Sequence, residues 1–341
     1  MSEVLAVPDA PRSHATRAFR YLLGAVLGAA GLYACFASVE WPQFVASFQA
    51  ASVSWVIAAA VSILLTLAVV TTRSVLFLDA GSSFRVWRGL WDAVIVGQAV
   101  NIVVPLRFGE GARVAFTCSK LGLPAGRVLV GMALERIFDV SAFAVAVLLV
   151  VLSGVSGWMP GLGENATSRA LVMAVATVAA VAGLVWLVPI GARSVGKRFS
   201  PESSIGRWIE AQQSGIRSAW AAGTRPHLFL ATVPLTALMT IGAVSTNLLV
   251  FRAFDLELPI VAGLALLVVL QIGTTVVSVP GNLGVFHYLT VVTLGALQVP
   301  RSEALAVAVV LHAVAIGPKV VLAAIALAGT PVKLAGPHRS A

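Results

Sequence analysis

Charged residues are scarce in this 341-residue chain: they make up 11% of the sequence, whereas hydrophobic residues make up 59%. Soluble domains carry roughly 25% charged residues, so the composition excludes a protein whose main solvent is water. Apolar runs of about 20 residues, the length that crosses a bilayer, recur along the chain, and the mean hydropathy is +0.95. No stretch is polar enough for a separate soluble domain. We therefore predict one polytopic membrane domain over 21–330, with cytoplasmic tails at 1–20 and 331–341.

Cysteine is almost absent, since the sequence contains only Cys35 and Cys118. Two cysteines cannot build a disulfide framework or a cysteine-based metal site. The sequence also lacks a nucleotide fingerprint, a phosphate-cradling loop, a nucleophile elbow and a metal-ligand pattern. We expect no cofactor, no metal and no enzymatic activity. The net charge of +9 indicates basic cytoplasmic loops rather than nucleic-acid binding.

Six apolar runs are long enough to be full membrane spans. They lie at 21–39, 53–78, 128–152, 170–190, 227–250 and 304–328. Two further apolar stretches, 89–104 and 259–279, are each followed by a break rich in Pro and Gly and then by a second short helix. We predict an all-α protein in which each broken pair forms a re-entrant hairpin; the alternative is that the broken pairs cross the membrane fully.

The distribution of Lys and Arg predicts the orientation. Eighteen of the 23 basic residues fall in five segments, which a cytoplasmic N-terminus places on the inside: 1–20, 73–92, 105–127, 191–226 and 330–341. Only three fall in the outside loops. This is a strong positive-inside signal, and it puts both termini in the cytoplasm. Within the fourth segment, 201–222 carries Ile and Trp at helical spacing, which predicts a helix on the cytoplasmic surface.

The two breaks resemble each other. The first contains Pro105 and Gly109, and the second contains Pro280 and Gly284, with Gly281 beside its proline. In the orientation above, the first break faces the cytoplasm and the second faces outside. This pattern predicts inverted-topology repeats over about 53–152 and 227–328, with a site near the midplane where irregular backbone lines a cavity. The alternative is that Pro and Gly only kink two ordinary spans.

Charged side chains near the first break are the strongest candidates for a site, because a central Arg or Asp costs roughly 2.5 to 3.5 kcal/mol on membrane-insertion scales. They are Arg107, Glu110, Arg113, Glu135, Arg136 and Asp139. Glu135 and Asp139 share one helix face, and neutralising them with Arg107 and Arg113 leaves a basic excess. That excess suits a phosphate, which the planar guanidinium binds well.

Two alternatives stay open for this cluster. Glu135 and Arg136 can instead mark the cytoplasmic end of a span that starts near Ile137, with side chains reaching back to water. Glu110 and Arg107 can have a helix-capping role only. We interpret Arg73, at the end of the second apolar run, as a cytoplasmic anchor.

The second half offers polar rather than charged candidates. His287 and His312 stand at and after the second break, and histidine titrates near physiological pH. A lone membrane histidine is more often a packing residue, but two at repeat-related positions favour a role at the opposite gate. Asn101 and Gln271, late in the helices before the breaks, are expected to line the same cavity. Asn282, within the second break, is a further candidate for binding the substrate.

The residues around both breaks resemble a known family. Asn101, Pro105, Arg107, Gly109, Glu110 and Arg113, followed by Glu135, Arg136 and Asp139, look like the signature of the flippase-like membrane proteins related to the transmembrane region of lysylphosphatidylglycerol synthase. Pro280, Gly281, Gly284 and Val285 are similar to that family's second break. Many members carry Glu where this chain has His287, and the soluble aminoacyl-transfer domain of the synthase is not present in this sequence.

The resemblance implies lipid translocation in the bacterial cytoplasmic (inner) membrane and argues against lysyl transfer. We expect a flippase for a phospholipid or another phosphate-bearing lipid, such as a polyprenyl-linked one, with a proton or other ion as a potential coupling partner. One alternative is a non-transporting subunit that docks or regulates a lipid-modifying enzyme. A weaker alternative is a membrane-embedded lipid transferase.

Overall fold

A computed structural model describes residues 26, 28–37, 39–79, 81, 83–104, 108–153, 183, 213–217, 220–221, 225–276 and 279–328. Within these residues the secondary structure is helical, as predicted. The helices are α1 (28–36), α2 (Trp41–Ala50), α3 (Val53–Leu78), α4 (Phe84–Val103), α5 (Phe108–Leu121), α6 (Ala125–Leu152), α7 (Pro226–Ala253), α8 (Ile260–Val276), α9 (Val285–Ala296) and α10 (Arg301–Ala328). A 3₁₀ turn, Pro280–Asn282, stands between α8 and α9.

The long helices coincide with the predicted spans. α3, α6, α7 and α10 cover the apolar runs at 53–78, 128–152, 227–250 and 304–328 within three residues at each end. Among the described residues, α3, α7 and α10 are long and apolar enough to cross a membrane. The tails lie outside the described residues, and so does the predicted span at 170–190 except for residue 183. Of the predicted surface helix at 201–222, the structure describes only 213–217 and 220–221. Helix α2 was not predicted.

Local chemistry fixes several helix ends. Pro226 stands in the first turn of α7, where a missing backbone N–H costs nothing. The Ser83 side chain accepts a hydrogen bond from the Val86 N–H and so caps α4. Asp79 adopts a left-handed conformation (φ 45°) and ends α3. These caps set the lengths of the helices that surround the site.

The first break joins α4 and α5 as a closely packed helical hairpin. The Gly109 N–H donates a 2.8 Å hydrogen bond to Oδ1 of Asn101, so a side chain of α4 satisfies a free donor at the start of α5. Gly109 also packs directly on the backbone of Gly97, where a Cβ would collide with the Gly97 carbonyl oxygen. Pro105, Leu106 and Arg107 lie outside the described residues.

The second break is a turn built on two glycines with positive φ, Gly281 (64°) and Gly284 (84°). Gly284 lies against the carbonyl group of Gly28 in α1, an approach that leaves no room for a Cβ. Nε2 of His312 lies 2.8 Å from the carbonyl oxygen of Gly281 and so ties the turn to α10. The break is thus fixed from two sides, by α1 and by α10.

Helices α3 and α7 pack against each other along their length and run antiparallel. Ser62 of α3 hydrogen-bonds Thr246 of α7 at 3.1 Å, whereas Arg73, further along α3, bonds Thr236, which comes earlier in α7. Further contacts connect the first half of the chain to the second: α10 packs on α3 and α4, and α6 packs on α7 and α8. The largest hydrophobic core of the described residues lies among α1, α3, α7, α8, α9 and α10.

Candidate functional site

A chain of ion pairs joins three helices near the first break. Arg73 of α3 contacts Asp139 of α6 with 2.6 Å between Nη2 and Oδ1. The other carboxylate oxygen of Asp139 lies 3.6 Å from Arg136, and Arg136 in turn pairs with Glu110 of α5. The chain therefore links α3, α6 and α5 through alternating charges. Arg73 also donates a 3.1 Å hydrogen bond to Oγ1 of Thr236 in α7.

A second ion pair, between Arg113 and Glu135, lies beside the first chain. The two guanidinium nitrogens of Arg113 donate to the two Glu135 oxygens at 2.9 and 2.8 Å, the bidentate geometry that is strongest for this pair. Arg113 also donates to the Ser74 hydroxyl at 2.7 Å. These three hydrogen bonds from the terminal nitrogens of Arg113 fasten α5 to α6 and α3.

The side chains of the ion-pair chain are buried at the Arg73 end and partly exposed at the Arg136–Glu110 end. The Arg73 side chain is only 1% exposed, whereas Glu110 is 33% and Arg136 is 50% exposed. Each of the three described arginines has a carboxylate partner, so the cluster carries no net charge. Its buried members hold the helices together, and its exposed pair, Glu110 and Arg136, remains accessible from the cavities.

Two adjoining cavities lie against this cluster. The larger has a volume of about 510 Å³ and is surrounded by α3, α4, α6, α7, α8, α10 and the second break. The smaller, of about 330 Å³, has the ion pairs in its wall. Arg136, Asp139 and Gln271 line both. The lining of the larger cavity combines these polar groups with apolar side chains such as Phe143 and Leu267.

Most residues predicted for the site meet at these cavities. The smaller cavity is lined by Asn101, Gly109, Glu110, Arg113, Glu135, Arg136, Asp139 and Gln271. Asn282 of the second break lines the larger one. Asn101 and Gln271, expected to share a cavity, do so. The predicted site residue Arg107 lies outside the described residues.

The two histidines form a separate pair. Their ring centroids are 4.7 Å apart, and neither side chain lines the two cavities. His287 is buried, and its Nδ1 has no hydrogen-bond partner among the described residues. The pair instead packs against Phe286, which does line the larger cavity. The histidines are therefore placed behind the cavity wall at the second break.

The interpretation of Arg73 as a surface anchor is wrong, because Arg73 is fully buried and bound to Asp139. The sequence held a signal for this: the apolar run continues after Arg73 through Val75, Leu76, Phe77 and Leu78. An arginine with apolar residues on both sides is expected to face the interior of a bundle and to have a partner there. Helix α6 begins at Ala125, so Glu135 and Arg136 stand within the helix and not at its first turn.

Lys319 is the second residue that the sequence analysis did not place in the site. It lies on α10 with apolar residues on both sides, and it lines the larger cavity. Thr236, Thr240, Thr246 and Asn247 of α7 were missed as well; they line the same cavity along one side of their helix. Among the described residues, no group of three or more His, Cys, Asp or Glu side chains is arranged to hold a metal ion.

Long apolar helices around a cavity with charged groups define a helical membrane protein with an internal polar site. The chain belongs to the family of the lysylphosphatidylglycerol synthase TM region, which it matches over residues 21–323. The family links this membrane protein to lipid biosynthesis or transport. A comparison with curated proteins finds none that matches.

Proposed function

We propose that this protein moves a phosphate-bearing lipid between the leaflets of the membrane. The lipid head group passes through the two cavities while its chains stay in contact with apolar walls. The observation that carries the proposal is the larger cavity, about 510 Å³, which joins the exposed Arg136 and Asp139 to an apolar lining within a bundle of membrane helices. A lipid has the same division between a charged head and apolar chains.

Arg136 is the group best placed to meet a head group near the first break. Its guanidinium is half-exposed and faces both cavities. A phosphate reaching Arg136 competes with Glu110 for the same donors, since both are oxygen anions that accept from the guanidinium fork. In the proposed mechanism the phosphate replaces Glu110, and Glu110 is left without its cation. A proton taken up by Glu110 then balances the charge.

This exchange of partners also provides a gate. Glu110 lies in the first turn of α5, and its pair with Arg136 holds the α4–α5 hairpin against α6. Release of Glu110 removes one of the ion pairs between α5 and α6. The second, Arg113 with Glu135, is buried and keeps the hairpin attached. Substrate binding therefore loosens the hairpin locally without unfolding it.

We further propose that the two halves are inverted-topology repeats, α3 to α6 and α7 to α10. Each half has a long helix, two short helices around a break, and a second long helix. The antiparallel packing of α3 on α7 and the reciprocal contacts between halves support this symmetry. Such repeats place binding sites at their interface, near the bilayer midplane. Residues of both halves line the larger cavity, which supports a site at this interface.

The proposed topology is six full spans with two re-entrant hairpins, in the bacterial inner membrane, with both termini in the cytoplasm. The distribution of basic residues supports this orientation. The role that we propose is transport rather than catalysis. The carboxylates beside the cavity are engaged in ion pairs, so they do not form the free acid and base that a transferase needs.

The test is lipid translocation in proteoliposomes made with the purified full-length protein. Lipids with labelled phosphate head groups are supplied in a panel, and an impermeant quencher outside reports movement between leaflets. Wild type is expected to move at least one class. Glu110→Gln is expected to slow that movement by roughly tenfold, because the substitution removes the negative charge from the partly exposed ion pair with Arg136.

The matched control is Glu257→Gln. Glu257 pairs with Arg252 at 3.5 Å, is 84% exposed and lies outside both cavities, so its neutralisation is expected to leave transport unchanged. If no lipid moves with or without a proton gradient, the flippase proposal is wrong. Stoichiometric co-purification of a lipid-modifying enzyme would then favour a docking role for this membrane protein.

A further inference from the structure

Lys319 has no counter-ion among the residues that the structure describes, in a site where the other described charges are paired. Three charged side chains line the larger cavity: Arg136, Asp139 and Lys319. Arg136 pairs with Glu110, and Asp139 pairs with Arg73. Lys319 makes no ion pair or hydrogen bond with any residue that the structure describes. The described lining of the larger cavity therefore carries one positive charge without a described counter-ion.

The position of Lys319 is fixed by the helix that carries it. Leu311, Ala315 and Lys319 follow one another at four-residue intervals on α10, and all three line the larger cavity. Residues at this spacing share one face of a helix. The small side chain of Ala315, one turn before Lys319, leaves space beside the ammonium group. The lysine is thus presented to the cavity by the regular geometry of a membrane helix.

An isolated ammonium group in a membrane helix is costly, and such residues mark binding or transport sites. The cost falls when an anion binds in the cavity and supplies the missing charge. The neutral polar groups opposite, on α7, can accept or donate hydrogen bonds but cannot supply that charge. They include Thr240 and Asn247. The ligand itself is therefore the natural counter-ion of Lys319.

We propose that Lys319 binds the phosphate of the lipid and selects head groups with a net negative charge over zwitterionic ones. This inference rests on the proposed function and names the substrate class. A zwitterionic head group brings its own ammonium group, which Lys319 would repel. The carboxylates near the cavity are already paired with arginines and so do not attract this ammonium group. An anionic head group brings only the charge that the cavity lacks. The preference is set by this one lysine.

The test is a binding measurement, so that it is independent of transport. The purified full-length protein in detergent receives equimolar phosphatidylglycerol and phosphatidylcholine with the same acyl chains, and native mass spectrometry gives the ratio of bound lipids. Wild type is expected to prefer phosphatidylglycerol. Lys319→Met, which keeps an unbranched, flexible side chain one atom shorter and removes the charge, is expected to reduce that preference about tenfold.

Two variants separate charge from fold. Lys319→Arg keeps the cation and is expected to keep the preference. Lys120→Met removes an exposed lysine on α5 that lies outside both cavities and is also expected to keep it. An unchanged ratio in Lys319→Met, or an equal loss in Lys319→Arg, would overturn the inference. So would displacement of bound phosphatidylglycerol by an equal concentration of inorganic phosphate, since the ligand would then be a soluble anion.

The two proposals can fail separately. If wild type translocates lipid and Lys319→Met moves the same classes with the same selectivity, transport stands and the role of Lys319 is wrong. If no lipid moves but wild type binds phosphatidylglycerol through Lys319, the lysine site stands and the transport proposal is wrong.

Discussion

Asp139 lies between two guanidinium groups, 2.6 Å from Arg73 and 3.6 Å from Arg136. This one carboxylate connects a fully buried arginine of α3 to a half-exposed arginine at the cavities. The arrangement separates two tasks within one chain of charges. The Arg73 side holds α3, α6 and α7 together, and the Arg136 side remains free to change partners. The stability and the activity of the site should therefore respond to different substitutions.

We expect Arg73→Met to destabilise the protein by about 3 kcal/mol, the lower end for breaking a buried ion pair. The lower end applies because Asp139 keeps Arg136 as a second partner. Thermal unfolding of the purified protein in detergent, followed by loss of the monodisperse gel-filtration peak, measures the change. The double variant Arg73→Met with Asp139→Leu should recover part of the loss because it leaves no unpaired buried charge. If the double variant loses as much free energy of unfolding as the two single variants lose together, the result contradicts this pairing.

We expect Glu135→Gln and Glu110→Gln to have opposite profiles. Glu135 is buried in a bidentate pair with Arg113. Its neutralisation should reduce the free energy of unfolding by about 3 kcal/mol and so lower the unfolding temperature clearly. Glu110 is partly exposed, so Glu110→Gln should change stability by about 1 kcal/mol or less while it slows transport. Unfolding and translocation are measured on the same preparations. Equal destabilisation by the two substitutions would argue against this division.

Gly109→Ala is expected to destabilise the first hairpin by about 1 to 3 kcal/mol, the usual cost of overpacking. A Cβ at this position meets the Gly97 carbonyl oxygen and the Asn101 side chain, which also accepts the Gly109 N–H. Gly111→Ala is the matched control in the same helix, because a Cβ at Gly111 meets open space. Since alanine forms helices better than glycine, this variant should raise the free energy of unfolding by up to about 1 kcal/mol. Thermal unfolding of both variants tests the contact. Equal behaviour would show that α4 and α5 do not approach closely at Gly109.

The helices of this fold follow from the sequence because each depends on local features. Long apolar runs gave α3, α6, α7 and α10, and Pro and Gly marked both breaks. Helix α2 was missed because its ten residues are too few to read as a span. Its apolar side chains, such as Trp41 and Phe48, are exposed rather than buried in the bundle.

The site followed from the sequence only in part. The charge pattern indicated that Glu135 needs a cation, and Arg113 supplies it. The partner of Asp139 could not be predicted, because Arg73 lies in a distant part of the chain and reaches Asp139 only through the packing of α3 on α6. The same holds for Lys319, whose importance depends on which face of α10 meets the cavity. Pairings between helices depend on tertiary contacts, which cannot be predicted from the spacing of residues along the chain.

Cys35 offers a direct test of how α1 holds the second break. Cys35 is fully buried in the core formed by α1, α3, α7, α8, α9 and α10. Gly284 packs on the backbone of Gly28, which lies two turns before Cys35 in α1. Gly284→Ala introduces a Cβ at that contact and at a φ of 84°, a conformation that costs a non-glycine residue about 1 to 3 kcal/mol. We expect the variant to release α1 and to raise the rate at which a water-soluble maleimide labels Cys35 by roughly tenfold.

This labelling experiment uses a Cys118→Ser background, so that Cys35 is the only thiol in the chain. Gly295→Ala serves as the control, because a Cβ at Gly295 meets no atom within 4 Å, and its labelling rate should equal that of the parent. If Gly284→Ala leaves Cys35 as protected as the parent does, α1 does not depend on the second break. If both glycine variants label equally fast, the effect comes from general loosening and the contact between Gly28 and Gly284 has no special role. A selective increase in Gly284→Ala alone would make α1 a clamp on the turn that carries Asn282 into the cavity wall.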